Sequence, residues 1–373
     1  MNKLPAHSRI DDIEFLRAVA IIFVLIAHLP VLIGGGPIWE KITSVATFGG
    51  GVDLFFVISG FVITRSLLAQ PRENFLAFAL PFWIRRAWRI LPAAWLWLLL
   101  TLAATVWFNK SGALGELLPN ASDALAAFLQ FANIHQYFCL NAVPPVGICA
   151  KGGYPLGVYW SLSLEEQFYL VFPFLLFFTP KRYLWPALAF LVMAQIFIPR
   201  VGTLLWSIRT DALLIGVLLA RQSLNYEPTF LNRPITRTAT FLLLVASLAI
   251  VPALQFIPFN TGILAVVSGV WVFMASFNKD YVLPVRALKP IMLWFGSRSY
   301  SLYLIHLTAY CATQEIYYRL APEVFGGNYA PRFAISGAIL LFVLAELTYR
   351  LVEVPLRRRG HAIANRMQQI QMT

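Results

Sequence analysis

The chain has 373 residues, of which 59% are hydrophobic, 15% aromatic and only 12% charged. A soluble domain carries about 25% charged residues, so this composition, with a mean hydropathy of +0.70, excludes an ordinary soluble globular protein. The formal net charge of +12 does not call for nucleic acid, because basic residues of membrane proteins gather in cytoplasmic loops.

Crossing about 30 Å of hydrocarbon takes an apolar run of about 17–25 residues. Runs of this kind lie near 13–34, 51–70, 90–108, 159–178, 184–200, 203–220, 238–256, 262–278, 298–316 and 333–352. The first follows a short basic stretch with Lys3 and Arg9. No convincing small-residue cleavage site follows it, so it reads as an uncleaved span. The segment 121–138 is short and carries Asp123, Asn133 and His135. It reads as an interfacial or re-entrant helix. Charge supports this choice. With the N-terminus inside, Lys41, Lys110, Lys151, Arg200, Arg319 and Arg332 fall outside, and Arg17 and Arg209 lie within spans. Every other Lys and Arg is cytoplasmic. Counting 121–138 as a span would turn Lys181/Arg182, Arg221/Arg233/Arg237 and Arg357/Arg358/Arg359 outward, against the positive-inside rule. The expected fold class is therefore an all-α integral membrane protein with about ten transmembrane helices and both termini cytoplasmic. Its organisation is one membrane domain, 1–356, and a short basic cytoplasmic tail, 357–373. Cys139 and Cys149 fall in the long outer loop, where an oxidising compartment favours a bridge; Cys311, in a span, reads as packing.

Ionisable residues inside a membrane are expensive and mark functional candidates. Arg17 and His28 share the first span. Eleven residues at 100° each return them to nearly the same face, about 16 Å apart along the axis. A snorkelling arginine and a hydrogen-bonded core histidine would explain the pair equally well. In the second span Asp53 follows three glycines near the depth of His28, where a carboxylate would hold the imidazole tautomer. An interfacial charge at a helix end is the plain alternative. Ser59 and Gly60 read as small helix–helix contacts.

Arg85, Arg86 and Arg89 stand among tryptophans in 81–95. They suit an interfacial helix facing lipid phosphates or a phosphate-binding cluster, since arginine forks match phosphate oxygens. The fourth span opens with Glu165 beside Glu166. Ser163 and Glu166 have capping-box spacing, which leaves Glu165 unexplained. Arg209 and Asp211 lie within 203–220, and Glu346 and Glu353 lie toward the inner end of the last span. His306 follows Tyr303 by three residues, on one helical face. Packing with local ion pairing explains each of these singly. As a set they sort by depth. His28, Asp53, Glu165 and Glu166 lie toward the outer half, joined by Asp211 and His306; Arg17, Arg86 and Arg89 lie toward the inner half. That order suggests a basic donor site facing the cytoplasm and an acid–base site facing outward. No His/Cys/Glu cluster in the sequence has metal-ligand spacing.

The motifs, in this order, resemble the acyltransferase-3 family of membrane O-acyltransferases. They are Arg17 with His28 after ten residues, "GGGVDLFFVISGF", "RRAWRILP", "WSLSLEEQFYLVFP", "SYSLYLIHL" and "EVPLRR". Together they cover nearly the whole chain. The resemblance implies ten core spans and transfer of an acyl group, usually acetyl, from cytoplasmic acyl-CoA. The acceptor would be a hydroxyl of a carbohydrate, such as lipopolysaccharide O-antigen or another surface glycan. The resemblance marks Arg17, His28, Arg86 and Arg89 as functional. On this reading His28, Asp53, Glu165 and Glu166 are the catalytic candidates. Arg17, Arg86 and Arg89 are the candidates for binding acyl-CoA, a cosubstrate rather than a resident cofactor. Trp160, Ser161, Tyr303 and His306 are the candidates for binding the acceptor. No metal is expected. The expected partners are acyl-CoA, a carbohydrate or lipid-linked glycan, and membrane lipids, without nucleic acid; the expected location is the bacterial inner membrane. Some members add a C-terminal esterase-like domain. None follows here before Thr373, so acceptor chemistry is expected in the membrane domain or with a partner. The competing reading is a polytopic secondary transporter of a lipid-linked glycan or small anion, which also uses buried charges and helix-breaking glycines. The chain shows no matching halves, and a transporter would not turn over CoA.

Overall fold

The computed structural model describes residues 10–372 apart from 142–146, 150–154, 201, 223–232, 283–285 and 323–329. Lys3, Arg9 and Lys151, used above, lie outside the described residues. Among the described residues every regular element is helical. In hydrocarbon each backbone N–H and C=O must be satisfied within its own segment, which a helix achieves. Among the described residues, six helical segments are long and apolar enough to cross a membrane: Asp11–Ile33, which is interrupted at His28, Gly50–Leu68, Phe75–Trp107, Tyr159–Phe178, Ile235–Ala253 and Pro331–Gln369. Asn260–Ala275 is apolar but shorter. The protein is an integral, multi-pass membrane protein.

The chain forms two compact units. The first comprises residues up to Ala27, Pro37–Ala79 and Val171–Ser299; the second comprises His28–Gly36, Leu80–Leu170 and Tyr300 onward.

In the first unit the helix Gly50–Leu68 packs on Asp211–Gln222, Asp11–Ala27 and Asn260–Ala275. Glycines let these backbones approach. A Cβ on Gly60 would lie 1.9 Å from the Leu213 carbonyl oxygen, and one on Gly216 would lie 2.1 Å from that of Val57. Small residues serve this purpose between membrane helices, where dispersion replaces the hydrophobic effect as the main attraction. Gly60 therefore is the helix contact its sequence suggested.

In the second unit, Phe75–Trp107 and Ser299–Leu320 run side by side in the same direction. The Tyr300 hydroxyl donates to the Ile90 carbonyl at 2.7 Å, and further along Thr101 and Thr308 share a hydroxyl hydrogen bond of 2.9 Å. At the far end Glu315 accepts the backbone N–H groups of Lys110 and Ser111. The Tyr159 hydroxyl, at the start of Tyr159–Phe178, donates to the Ala94 carbonyl at 2.9 Å. Trp97 donates to Thr348 of Ala330–Thr348 at 3.1 Å.

Several boundaries differ from the expectation. The proposed span 203–220 is two helices, Leu204–Ser207 and Asp211–Gln222, broken around Arg209. Arg200, expected at the outer surface, is buried at 2% exposure and bonds Asp211 at 2.7 Å. The span expected at 90–108 belongs to one 33-residue helix that starts at Phe75, so Arg85, Arg86 and Arg89 sit within a continuous helix. The segment 121–138 is a pair of short helices, Leu117–Phe128 and Ala132–Asn141. At about 1.5 Å per residue neither reaches across 30 Å of hydrocarbon. Ser163 does not cap its own helix, which begins four residues earlier at Tyr159. Its hydroxyl instead accepts from the Ala132 N–H at 3.2 Å, one of the donors that a helix start leaves unpaired. Cys139 and Cys149 form the disulfide, and Cys311 is buried and free. Residues Val354–Met372 continue as a helix after a π-helical turn, Tyr349–Glu353.

Candidate active site

At His28 the first helix stops. Asp11–Ala27 ends one residue before it, and Leu29–Ile33 begins one residue after it, with Pro30 in its first turn. Proline has no N–H to continue the ladder and crowds the preceding turn. The shared-face arithmetic for Arg17 and His28 therefore holds only as far as Ala27. The break leaves the His28 imidazole at a helix junction rather than on a regular stripe.

The second unit brings most of the expected residues together. His28 Nδ1 lies 3.2 Å from His306 Nε2, and the ring centroids are 4.9 Å apart. His306 is fully buried, and its Nδ1 lies 2.7 Å from the Tyr303 carbonyl. The Tyr303 hydroxyl shares a 2.6 Å hydrogen bond with Ser161, itself near the start of Tyr159–Phe178. His28, His306, Tyr303 and Ser161 thus form one chain of polar contacts.

The carboxylates lie beyond it on the same helix. Glu165 accepts from Tyr169, one turn on, at 2.6 Å. Trp83 donates to the Tyr169 carbonyl at 3.0 Å. The Arg86 guanidinium lies over the Tyr169 ring, 5.1 Å from its centroid, a cation–π distance. Glu166 interacts electrostatically with Glu165 and Arg86, and its Oε1 is buried without a hydrogen-bond partner among the described residues. Arg89, Glu166 and Glu353 all act on the Tyr300 hydroxyl. Glu353 is buried, bonded to Ser301 at 2.9 Å and to Arg357 at 3.4 Å. Arg85, next to Arg86 in sequence, has a buried Nη2 that lacks a hydrogen-bond partner among the described residues.

These groups are ordered along the helix axis. Tyr300 bonds at Ile90, beside Arg89. His306 is six residues further, an axial rise of about 9 Å. The arginines and the histidine pair therefore occupy different levels of the second unit, but Glu165 and Glu166, which the sequence grouped with His28, lie at the level of Arg86: Glu165 is bonded to the Tyr169 that Arg86 covers, and Glu166 interacts with Arg86 itself.

Trp160 lines a pocket with Asp123, His135, Gln136, Cys139 and Leu156. Asp123 and His135 pair there at 3.0 Å. Burial pushes the Asp123 carboxyl above its ordinary value, while the charge and hydrogen bond of His135 pull it down. The Cys139–Cys149 disulfide lies against this pocket.

Two expected residues belong to the first unit. Arg17 pairs with Glu14, three residues back on its own helix. Asp53 is buried in the first turn of Gly50–Leu68, and its Oδ2 accepts from Arg209 at 3.1 Å. The sequence assigned Asp53 to the His28 imidazole. In the structure the described partner of Asp53 Oδ2 is Arg209, and the described partner of the His28 ring is His306. The His28–His306 contact joins residues 278 apart in the chain. Neither periodicity nor motif spacing reports a contact of that kind.

The profile of the acyltransferase-3 family, described as "Acyltransferase domain", matches residues 10–349. The chain belongs to the acyltransferase-3 family. Peptidoglycan O-acetyltransferase OatA of Listeria monocytogenes is 30% identical to it over 96% of this chain and 58% of that protein. O-acetyltransferase OatA of Staphylococcus aureus is 26% identical over 96% of this chain and 59% of that protein. The chain thus spans less than two thirds of the length of these relatives. No solved structure matches it. As a family member, this chain carries its Arg17 and His28 within the matched residues, together with Arg86, Arg89, Glu165, Glu166 and His306.

Proposed function

We propose that the protein is a membrane O-acyltransferase that moves an acyl group, acetyl by preference, from acyl-CoA to a hydroxyl of a cell-envelope carbohydrate. The observation that carries this reading is the His28–His306 pair, half-buried at His28 and fully buried at His306, within the matched acyltransferase domain. His28 is the general base. It takes the proton of the acceptor hydroxyl as that oxygen attacks the thioester carbonyl. The new C–O bond forms, the C–S bond breaks, and His28 returns the proton to the departing CoA sulfur. A covalent acyl-His28 intermediate would divide the same transfer into two steps.

Arg86 and Arg89 are the candidates for the donor phosphates, with Arg85 beside them, because guanidinium forks match phosphate oxygens. Their level, about 9 Å along the axis from His306, suits a donor whose phosphates stay near one surface while its thioester reaches inward. Arg17 is assigned to the donor by resemblance alone. Ser161 and Tyr303, which share a 2.6 Å hydrogen bond next to His306, are the candidates to meet the acceptor. Trp160, in a pocket with Asp123, His135 and Gln136, combines an aromatic face with polar groups, a lining suited to a sugar. The names of the relatives favour peptidoglycan as the acceptor; lipopolysaccharide O-antigen is the alternative glycan. The location assigned is the bacterial inner membrane, with both termini cytoplasmic. The buried charges also suit a transporter, but only an acyltransferase releases CoA.

The test is CoA release from acetyl-CoA by the protein in lipid, with peptidoglycan fragments or O-antigen supplied as acceptor. Wild type should release CoA and label the glycan. His28→Ala should retain acetyl-CoA binding and lose turnover by about 10²–10⁴-fold, the usual contribution of a positioned base. Arg86→Ala with Arg89→Ala should weaken acetyl-CoA binding first. Binding lost in the histidine variant and turnover alone lost in the arginine variant would overturn the roles. Labelling of one glycan and not the other identifies the acceptor.

A further inference from the structure

We infer that His306 is a positioning residue that fixes the His28 lone pair on Nε2. A carbonyl oxygen only accepts hydrogen bonds. His306 Nδ1 lies 2.7 Å from the Tyr303 carbonyl, with the Leu302 carbonyl also in reach. His306 Nδ1 therefore carries a proton. In a neutral imidazole the other nitrogen is then an acceptor, and His306 Nε2 points at His28 Nδ1 across 3.2 Å. His28 Nδ1 donates to it. The lone pair of His28 is left on Nε2, the nitrogen turned away from His306.

The arrangement does what a buried carboxylate does for the histidine of a Ser-His-Asp triad. It selects one tautomer and one ring orientation. Deep within a membrane protein a neutral ring is the cheaper orienting group, since an ionised carboxylate there carries a large desolvation cost. The titratable groups around His306 are His28, Tyr303 and Tyr310, the last two with ring centroids 5.9 Å from its own. The segment that bears His28 is held by the same helix. Gln314 donates to the Val31 carbonyl at 2.5 Å. Ser299–Leu320 thus grips both the imidazole and the backbone that follows it.

The catalytic part of this inference rests on the acyl-transfer reading; the tautomer does not, and the two are tested separately. The chain has 5 histidines, so a sample labelled with ¹⁵N only at histidine gives a short spectrum, and His28→Gln assigns its resonances. In the full chain in lipid, wild type should show His28 with a non-protonated Nε2 and a protonated Nδ1. His306→Leu should leave His28 as a mixture of tautomers. A protonated Nε2 on wild-type His28 would overturn the inference whatever the activity.

For turnover, His306→Leu should reduce kcat for CoA release by about 10²–10⁴-fold and leave KM for acetyl-CoA unchanged. His306→Gln offers an amide oxygen to the same Nδ1–H and should recover part of the loss. Thermal unfolding of both variants separates loss of fold from loss of orientation. A Gln variant as slow as the Leu variant would make His306 a proton carrier, not a positioning residue. A Leu variant as fast as wild type would remove any role. Wild type that releases no CoA with any acceptor counts against the acyl-transfer reading, while the nitrogen resonances still decide the tautomer.

Discussion

Asp53 shows how a residue can be legible and its partner not. A carboxylate after three glycines in an apolar run announces itself in sequence. Its partner is Arg209, 156 residues away, and both side chains are nearly inaccessible. Arg209 also lies over the Trp206 ring, 3.9 Å from its centroid, and next to it Arg200 pairs with Asp211 at 2.7 Å. Two arginines and two aspartates therefore neutralise each other inside the first unit. Removing one partner of a buried pair leaves an uncompensated charge, at about 3–5 kcal/mol. Asp53→Asn should lower thermal stability in detergent by that amount. Combining it with Arg209→Gln should restore part of the loss, because the cost lies in the orphaned charge. An Asp53→Asn variant that melts like wild type but no longer releases CoA would return Asp53 to the imidazole-orienting role that its sequence context suggested. Glu165 makes the same point from the other side. The capping-box spacing explained its neighbour Glu166, yet Ser163 caps a different helix, and Glu165 is engaged by Tyr169.

Helices were more legible than their ends. Length and apolarity identified all six of the long apolar helices, since these properties follow from the thickness of the bilayer. The errors fell where a helix breaks or continues for tertiary reasons. Arg209 and Asp211 read as polar residues inside one span, but Asp211 starts a helix of its own, and ion pairs to Asp53 and Arg200 stabilise the break. In the other direction, Pro81 and Pro92 did not divide Phe75–Trp107, as membrane helices tolerate proline when neighbours satisfy the freed carbonyls. Glycine is the sharper test at this scale. The contacts of Gly60 and Gly216 are with backbone oxygens at 1.9 and 2.1 Å from an added Cβ, and no rotamer change relieves a backbone clash. Gly60→Ala should force Gly50–Leu68 and Asp211–Gln222 apart and cost at least the 1–3 kcal/mol or so typical of overpacking. Gly35→Ala, with nothing within 4 Å of its Cβ, should be close to neutral. Thermal unfolding of the two variants side by side reads the difference. Equal stability would mean that the two helices are not held at glycine distance.

For the whole molecule, composition settles the class, and charge is the basis of the proposed orientation. With a net charge of +12 and basic groups that gather on one side when the short helices Leu117–Phe128 and Ala132–Asn141 do not cross, the proposed topology has both ends of the chain in the cytoplasm. The cysteine inventory makes this testable. Cys139 and Cys149 are paired and Cys311 is buried, so a membrane-impermeant maleimide meets little background in the unreduced protein. Glu116 and Arg358 are both exposed, and they lie on opposite sides in the proposed topology. Glu116→Cys should label on intact spheroplasts, and Arg358→Cys only after permeabilisation. The orientation bears directly on chemistry. The proposed topology would set Arg86 and Arg89 toward the compartment that holds acyl-CoA, and His28 and the Trp160 pocket toward the envelope glycan. Reversed labelling would place the arginines on the side without donor. Acyl transfer from cytoplasmic acyl-CoA would then need a different donor site, even if His28 were still its base.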